Sequence, residues 1–69
     1  MAKAAKKGFA AKLRSAREAA GVSQYELAKR SRVSKQSISA LELGERKPSW
    51  ETVQKLAAGL GISCEELMD

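Results

Sequence analysis

The stretch SKQSISALELGER, residues 34–46, holds the side chains with most to offer a partner. Gln36 carries a donor and an acceptor side by side, and Lys35 carries a mobile ammonium. Gln can pair in bidentate fashion with adenine, and Lys can donate to guanine. Ser39 adds a hydroxyl. Ala40 is small enough to let a helix approach closely, and its methyl suits the thymine methyl. With Ile38 taken as the inward direction and about 100° per residue, Gln36, Ala40 and Leu43 point away from a core. Ser39 lies beside them. Lys35 is nearer the side, at the N-terminal end. No acid stands on this outward face. Recognition of base edges is one reading of the pattern and a solvated helix face is the other. The face taken alone supports both equally.

Other chemistry is missing from the chain. It has no His and one Cys, Cys64. The usual ligand sets of a structural zinc site cannot be assembled from these. Ser–His and Cys–His nucleophiles are excluded for the same reason. Glu65 and Glu66 are adjacent, which on a helix points them about 100° apart. No catalytic constellation remains, so an enzyme is not expected, and no metal or cofactor is called for. A lone Cys allows no intrachain disulfide, which fits a reducing cytoplasm. No apolar run approaches the ~18 residues that a membrane span needs. The opening residues MAKAAKKGFAAK are basic and lack the apolar centre of a secretory signal.

Net charge is +5, from 13 Lys+Arg against 8 Asp+Glu, and it is unevenly shared. Residues 1–47 hold 12 basic and 4 acidic residues. Residues 48–69 hold Lys55 against Glu51, Glu65, Glu66 and Asp69. The first part would attract a polyanion and the second would not. Charge alone leaves a polyanion site and an ordinary solvated surface about even.

The elements that position these residues are short helices. A chain of 69 residues is one domain at most, with a small core. Ser23 with Glu26, and Ser63 with Glu66, have the spacing of a capping box. Ser34 and Ser49 are plain N-cap candidates. Gly21, Gly44 and Gly61 fall where the preceding helices should end. The expectation is five helices, over about 9–20, 24–31, 35–43, 50–59 or 60, and 64–68, with no strand. Phe9, Leu13, Ala16 and Ala20 share one stripe of the first helix. Leu27 and Ala28 face inward from the second, Ile38 and Leu41 from the third. Val53, Leu56, Ala57 and Leu60 make the widest stripe, on the fourth. Val22, Val33 and Ile62 precede caps and could act as staples. Trp50 is expected to be a core or loop anchor. Residues 1–8 are expected to form a mobile basic arm, and residues 9–69 the folded domain.

Only Arg32, Val33 and Ser34 separate the second and third helices. A three- to four-residue turn between two helices is the helix-turn-helix arrangement, whose second helix can enter the major groove. At this point the chain resembles a known family. From Leu13 to Leu67 it reads LRSAREAAGVSQYELAKRSRVSKQSISALELGERKPSWETVQKLAAGLGISCEEL. The ordered set is Leu-Arg-x-x-Arg, Ser-Gln-x-x-Leu-Ala, Val-Ser-x-x-x-Ile-x-x-x-Glu-x-Gly, then Pro-Ser and an amphipathic helix. It is similar to the Xre / lambda-repressor-like (Cro/C1-type) helix-turn-helix family.

The resemblance implies an all-α, compact five-helix DNA-binding domain and a sequence-specific transcriptional regulator, a repressor by preference. On matching positions, Lys35, Gln36, Ala40 and Ser39 would read bases. Gln24, Ser37, Arg46 and Lys47 would hold phosphates, with Lys3, Lys6 and Lys7 as weaker candidates. Arg17 would pair with the inward-facing Glu42 and could lend a spare N–H to a phosphate. The partner would be double-stranded DNA, bound in the bacterial cytoplasm by a homodimer. Ile62, Cys64, Leu67 and Met68 are the candidate dimer contacts, with completion of the monomer core as the equal alternative, above all for Leu67. The family's phage repressors, restriction–modification controllers and antitoxins are not separated by the sequence. A domain that keeps this fold as a protein-interaction adaptor, or as an antitoxin-like component, is the alternative function.

One position departs from the family pattern. The turn residue before Val33 is usually Gly there, and this chain has Arg32. The expectation is that Arg32 bears a left-handed backbone and adds positive charge.

Overall fold

The computed structural model describes residues 8–68. Four α-helices follow one another: α1 (Phe9–Ala20), α2 (Gln24–Ser31), α3 (Lys35–Glu42) and α4 (Trp50–Leu60). A 3₁₀ turn, Cys64–Leu67, comes last among the described elements. There is no strand among the described residues. No helix among them is long and apolar enough to cross a membrane. The expected basic arm, with Lys3, Lys6 and Lys7, lies outside the described residues except for Gly8.

Three of the helices start as their serines dictate. The hydroxyl of Ser23 accepts from the Glu26 N–H at 3.0 Å, that of Ser34 from Ser37 at 3.1 Å, and that of Ser49 from Thr52 at 3.1 Å. Each satisfies a donor that the first helical turn leaves without a partner. Three ends are closed by a left-handed residue: Gly21 after α1, Arg32 after α2 and Gly61 after α4. Gly21 after α1 has φ 74°, which Gly adopts freely. Arg32 after α2 has φ 64° and ψ 23°, and its N–H donates to Ala28 at 2.9 Å. A side chain at that backbone costs about 1 kcal/mol.

The expected fifth helix is a 3₁₀ turn instead, so the described residues form four α-helices and this turn. Two pulls explain the tighter winding. Leu67 is fully buried, and Lys12 of α1 donates to the Met68 carbonyl at 2.7 Å. Met68 is thereby extended, at φ −98° and ψ 154°, and the segment cannot complete an α turn.

One core unites the elements. Leu13, Leu27, Ile38, Leu56 and Leu67 are fully buried, with Leu41, Val53, Ala57 and Leu60 around them. Val22 and Val33 are buried just ahead of their caps, and Ile62 is half-buried. The most extensive packing is between α2 and α4, with α1 against α3 next. Gly59 of α4 makes the first of these possible. A Cβ there would stand 3.0 Å from the Cβ of Ser31 and 3.1 Å from its backbone nitrogen.

Trp50 is not the anchor expected of it. It is 56% exposed, although it lies on the stripe of Val53, Ala57 and Leu60. Its place one turn before Val53 carries the ring to the edge of the core, where more than half of it stays exposed.

Candidate nucleic-acid interface

The turn Arg32–Ser34 sets α3 directly after α2, and Ile38 and Leu41 fasten α3 to the core. The opposite face is therefore presented outward. Lys35 and Gln36 are exposed on its first turn, and Ser39 and Ala40 are half-buried further along. Neither Lys35 nor Gln36 makes a side-chain hydrogen bond or ion pair among the described residues. Their donors and the Gln36 acceptor are available to a partner.

The far end of α3 is locked by a polar cluster. Arg17 of α1 meets Glu42 in a bidentate pair, Nε to Oε2 at 2.6 Å and Nη2 to Oε1 at 3.1 Å. Arg17 Nη1 also donates to the Val22 carbonyl at 2.9 Å. The Glu42 side chain is 5% exposed and that of Arg17 14%. Three of the five guanidinium N–H groups are used, and two remain. The hydrogen bond to Glu42, with the attraction of its charge, raises the Arg17 pKa above its ordinary value against the opposing effect of burial.

Gln24 joins the same carboxylate. Its Nε2 donates to Glu42 Oε1 at 3.1 Å, so one amide hydrogen is spent and the other is left. The first residue of α2 is thus tied to the last residue of α3. No spacing rule in the sequence links those two ends, and the contact was not legible there.

A second contact ties the loop after α3 to the start of that helix. Arg46 Nη1 donates to the Ser37 hydroxyl at 3.0 Å, and Ser37 in turn meets the Ser34 hydroxyl at 3.0 Å. Arg46 and Lys47 are exposed, and Lys47 has no such partner among the described residues. Both line an open groove of about 870 Å³, with Phe9 and Arg14 of α1 on its far side. Tyr25 and Lys29 on α2 form a cation–π pair, the Lys29 nitrogen 5.6 Å from the ring centre. That pair also went unnoticed in the sequence, although an i, i+4 spacing is its signal.

The structure thus brings Gln24, Arg17 and Glu42 together at one end of α3, and Ser37 with Arg46 at the other. Leu67 stands apart from the other candidate dimer contacts: it is fully buried and completes the core. Ile62 and Cys64 are half-buried beside that core, and Met68 is 44% exposed.

Comparison with known proteins agrees with this geometry. The restriction-modification controller protein C.AhdI of Aeromonas hydrophila superposes with a TM-score of 0.84 at 37% identity, over 87% of this chain and 91% of that one. Two HTH-type transcriptional regulators of Mycobacterium tuberculosis, described as uncharacterized, are each 46% identical over 55 residues, 80% of this chain. The chain spans 39% of the length of these curated relatives. The helix-turn-helix family model matches residues 13–67. The chain belongs to the Cro/C1-type helix-turn-helix family.

Proposed function

We propose that the chain is a sequence-specific repressor that seats α3 in the major groove of duplex DNA. The observation that carries this is the state of Lys35 and Gln36. They are exposed on the first turn of a helix fixed at both ends, with donors not engaged elsewhere. Lys35, Gln36, Ser39 and Ala40 read base edges, and Gln24, Ser37, Arg46, Lys47 and Arg17 hold phosphates. Phosphate contacts set the register and base contacts choose the sequence. Gln24 and Arg17 suit that role because each keeps an N–H beyond those given to Glu42 and Val22.

The domain acts as a homodimer on a two-fold site, with half-sites about 34–36 Å apart. Ile62, Cys64 and Met68 form the dimer patch, now without Leu67. The likeness to a restriction-modification controller favours that subclass over phage repressors and antitoxins. The protein works in the bacterial cytoplasm, on the nucleoid when bound, without a cofactor and not as an enzyme.

The test is selection of bound sequences from random duplex DNA at two salt concentrations. An enriched, near-palindromic motif is expected, and its spacing reports the dimer geometry. Binding without enrichment removes sequence specificity. No binding at low salt removes DNA as the partner and leaves the adaptor reading in its place.

A further inference from the structure

Arg32 is the only non-glycine residue with positive φ among the described residues, at 64°. Gly would hold the same backbone without strain. The Arg32 side chain is exposed and has no hydrogen bond or ion pair among the described residues. Nothing inside the domain therefore rewards the choice of Arg at this turn.

Its surroundings are cationic. Lys35 opens α3 three residues later, and Lys29 lies in the last turn of α2, three residues earlier. Neither has an acidic partner among the described residues. Lys29 instead rests against the Tyr25 ring. The nearby acid, Glu26, is taken by Arg30 at 3.2 Å. Lys29, Arg32 and Lys35 thus make a run of positive charge leading into the first turn of α3.

A helix with its side chains is about 10–12 Å across, and the major groove is about 12 Å wide. A helix that enters by its N-terminal end brings the preceding turn level with the phosphates that rim the groove. Arg suits a phosphate there, because its planar fork can give two parallel charge-assisted hydrogen bonds.

We propose that Arg32 is a phosphate-binding residue, in addition to Gln24, Ser37, Arg46, Lys47 and Arg17, with Lys29 extending the track along α2. The strained turn is retained for this contact. The inference rests on DNA binding as proposed above, but not on sequence specificity.

The test uses a mixed-sequence duplex of about 30 base pairs, because phosphate contacts do not depend on sequence. Binding of the full chain is titrated at four salt concentrations, and each variant is also melted. Arg32→Gly should melt higher than the parent and bind more weakly, by roughly 5- to 10-fold at low salt. Its slope of log affinity against log salt should be shallower by about 0.9, the signature of one lost phosphate contact. Arg32→Asn tolerates the left-handed backbone without charge and should bind as Arg32→Gly does. Arg32→Lys should recover most of the affinity. Higher melting with unchanged affinity and slope would overturn the proposal, leaving Arg32 a strained turn residue and nothing more. Failure of the parent chain to bind any duplex would remove DNA binding itself, and this inference with it. Salt-dependent binding without sequence preference would leave it standing.

Discussion

Arg17 and Glu42 face each other in a bidentate ion pair that ties α1 to the C-terminal end of α3. Both partners are largely withdrawn from solvent, and no buried side-chain polar atom among the described residues lacks a partner. Removing one partner leaves the other charge stranded, which is why a broken buried pair costs more than an exposed one. Glu42→Ala should lower stability by about 3 kcal/mol, the low end of that range, because Arg17 keeps some solvent contact. For a domain of this size that is a fall of roughly 15 °C in melting temperature. Base preference at the selected site should change little, because Glu42 points inward. Thermal melts run beside binding curves check both halves; unchanged melting would sink the structural role.

The same pair fixes how stability responds to alkali. The Arg17 pKa is raised in the folded state, first by its hydrogen bond to Glu42. A raised folded value contributes stability that is fully present below the unfolded value and is lost only as pH rises through the folded one. An arginine already titrates far above ordinary alkaline conditions, and this one higher still, so the pair should survive them. Melting the parent chain and Glu42→Ala between about pH 7 and pH 10 should show a constant gap between them. A gap that closes within that window would show that the pair is not what Glu42 supplies.

Gly59 supports a prediction against helix propensity. An Ala in a helix interior is favoured over Gly by about 1 kcal/mol. Here its Cβ would press on Ser31, at 3.0 Å from the Cβ and 3.2 Å from the Cα. Ser31 is buried and its hydroxyl accepts from the Val33 N–H at 3.2 Å, so it cannot swing aside cheaply. Gly59→Ala should therefore destabilise, by about 1–2 kcal/mol after the propensity gain. Urea unfolding gives the answer; a higher midpoint than the parent chain would mean that α2 and α4 have room to part.

Much of this was legible in the sequence, for reasons that show where legibility ends. Serine caps and apolar stripes are local, and they located α1 to α4 within a residue. The family resemblance supplied both the pairing of Arg17 with Glu42 and the left-handed backbone at Arg32. What stayed hidden was set by distant packing. Cys64–Leu67 carries a helix signal, yet the burial of Leu67 and the pull of Lys12 wind it more tightly. Gln24 and Arg46 read as phosphate holders, but their bonds to Glu42 and Ser37 depend on how separate helices meet. Trp50 shares the period of the core while lying past its edge.

Trp50 and Val53 sit one turn apart and should behave in opposite ways. Trp50 is more than half exposed, and Val53 is 5% exposed. Trp50→Ala should cost less than about 1 kcal/mol, far below the 3–5 expected of a buried aromatic. Val53→Asp should unfold the domain, because it buries an unpaired charge. Circular dichroism separates the outcomes. A native spectrum for Val53→Asp, or an unfolded one for Trp50→Ala, would mean that the core is placed wrongly.

Gln36 and Lys47 test the division between reading bases and holding the backbone. Both are exposed and without side-chain partners among the described residues, so neither substitution should disturb the fold. Gln36 stands on the outward first turn of α3, where its paired donor and acceptor match adenine. Gln36→Ala should cost about 1–3 kcal/mol on the selected site and relax the preference at one base position. Lys47, in the loop after α3, offers a point charge that any phosphate satisfies. Lys47→Ala should weaken selected and unselected duplexes by the same factor and flatten the salt slope by about 0.9. The two variants must therefore differ in kind: one changes which sequence is preferred, the other how steeply binding falls with salt. If Gln36→Ala weakened all duplexes equally, its amide would be holding backbone rather than reading a base, and α3 would sit in the groove with a different face toward the base pairs.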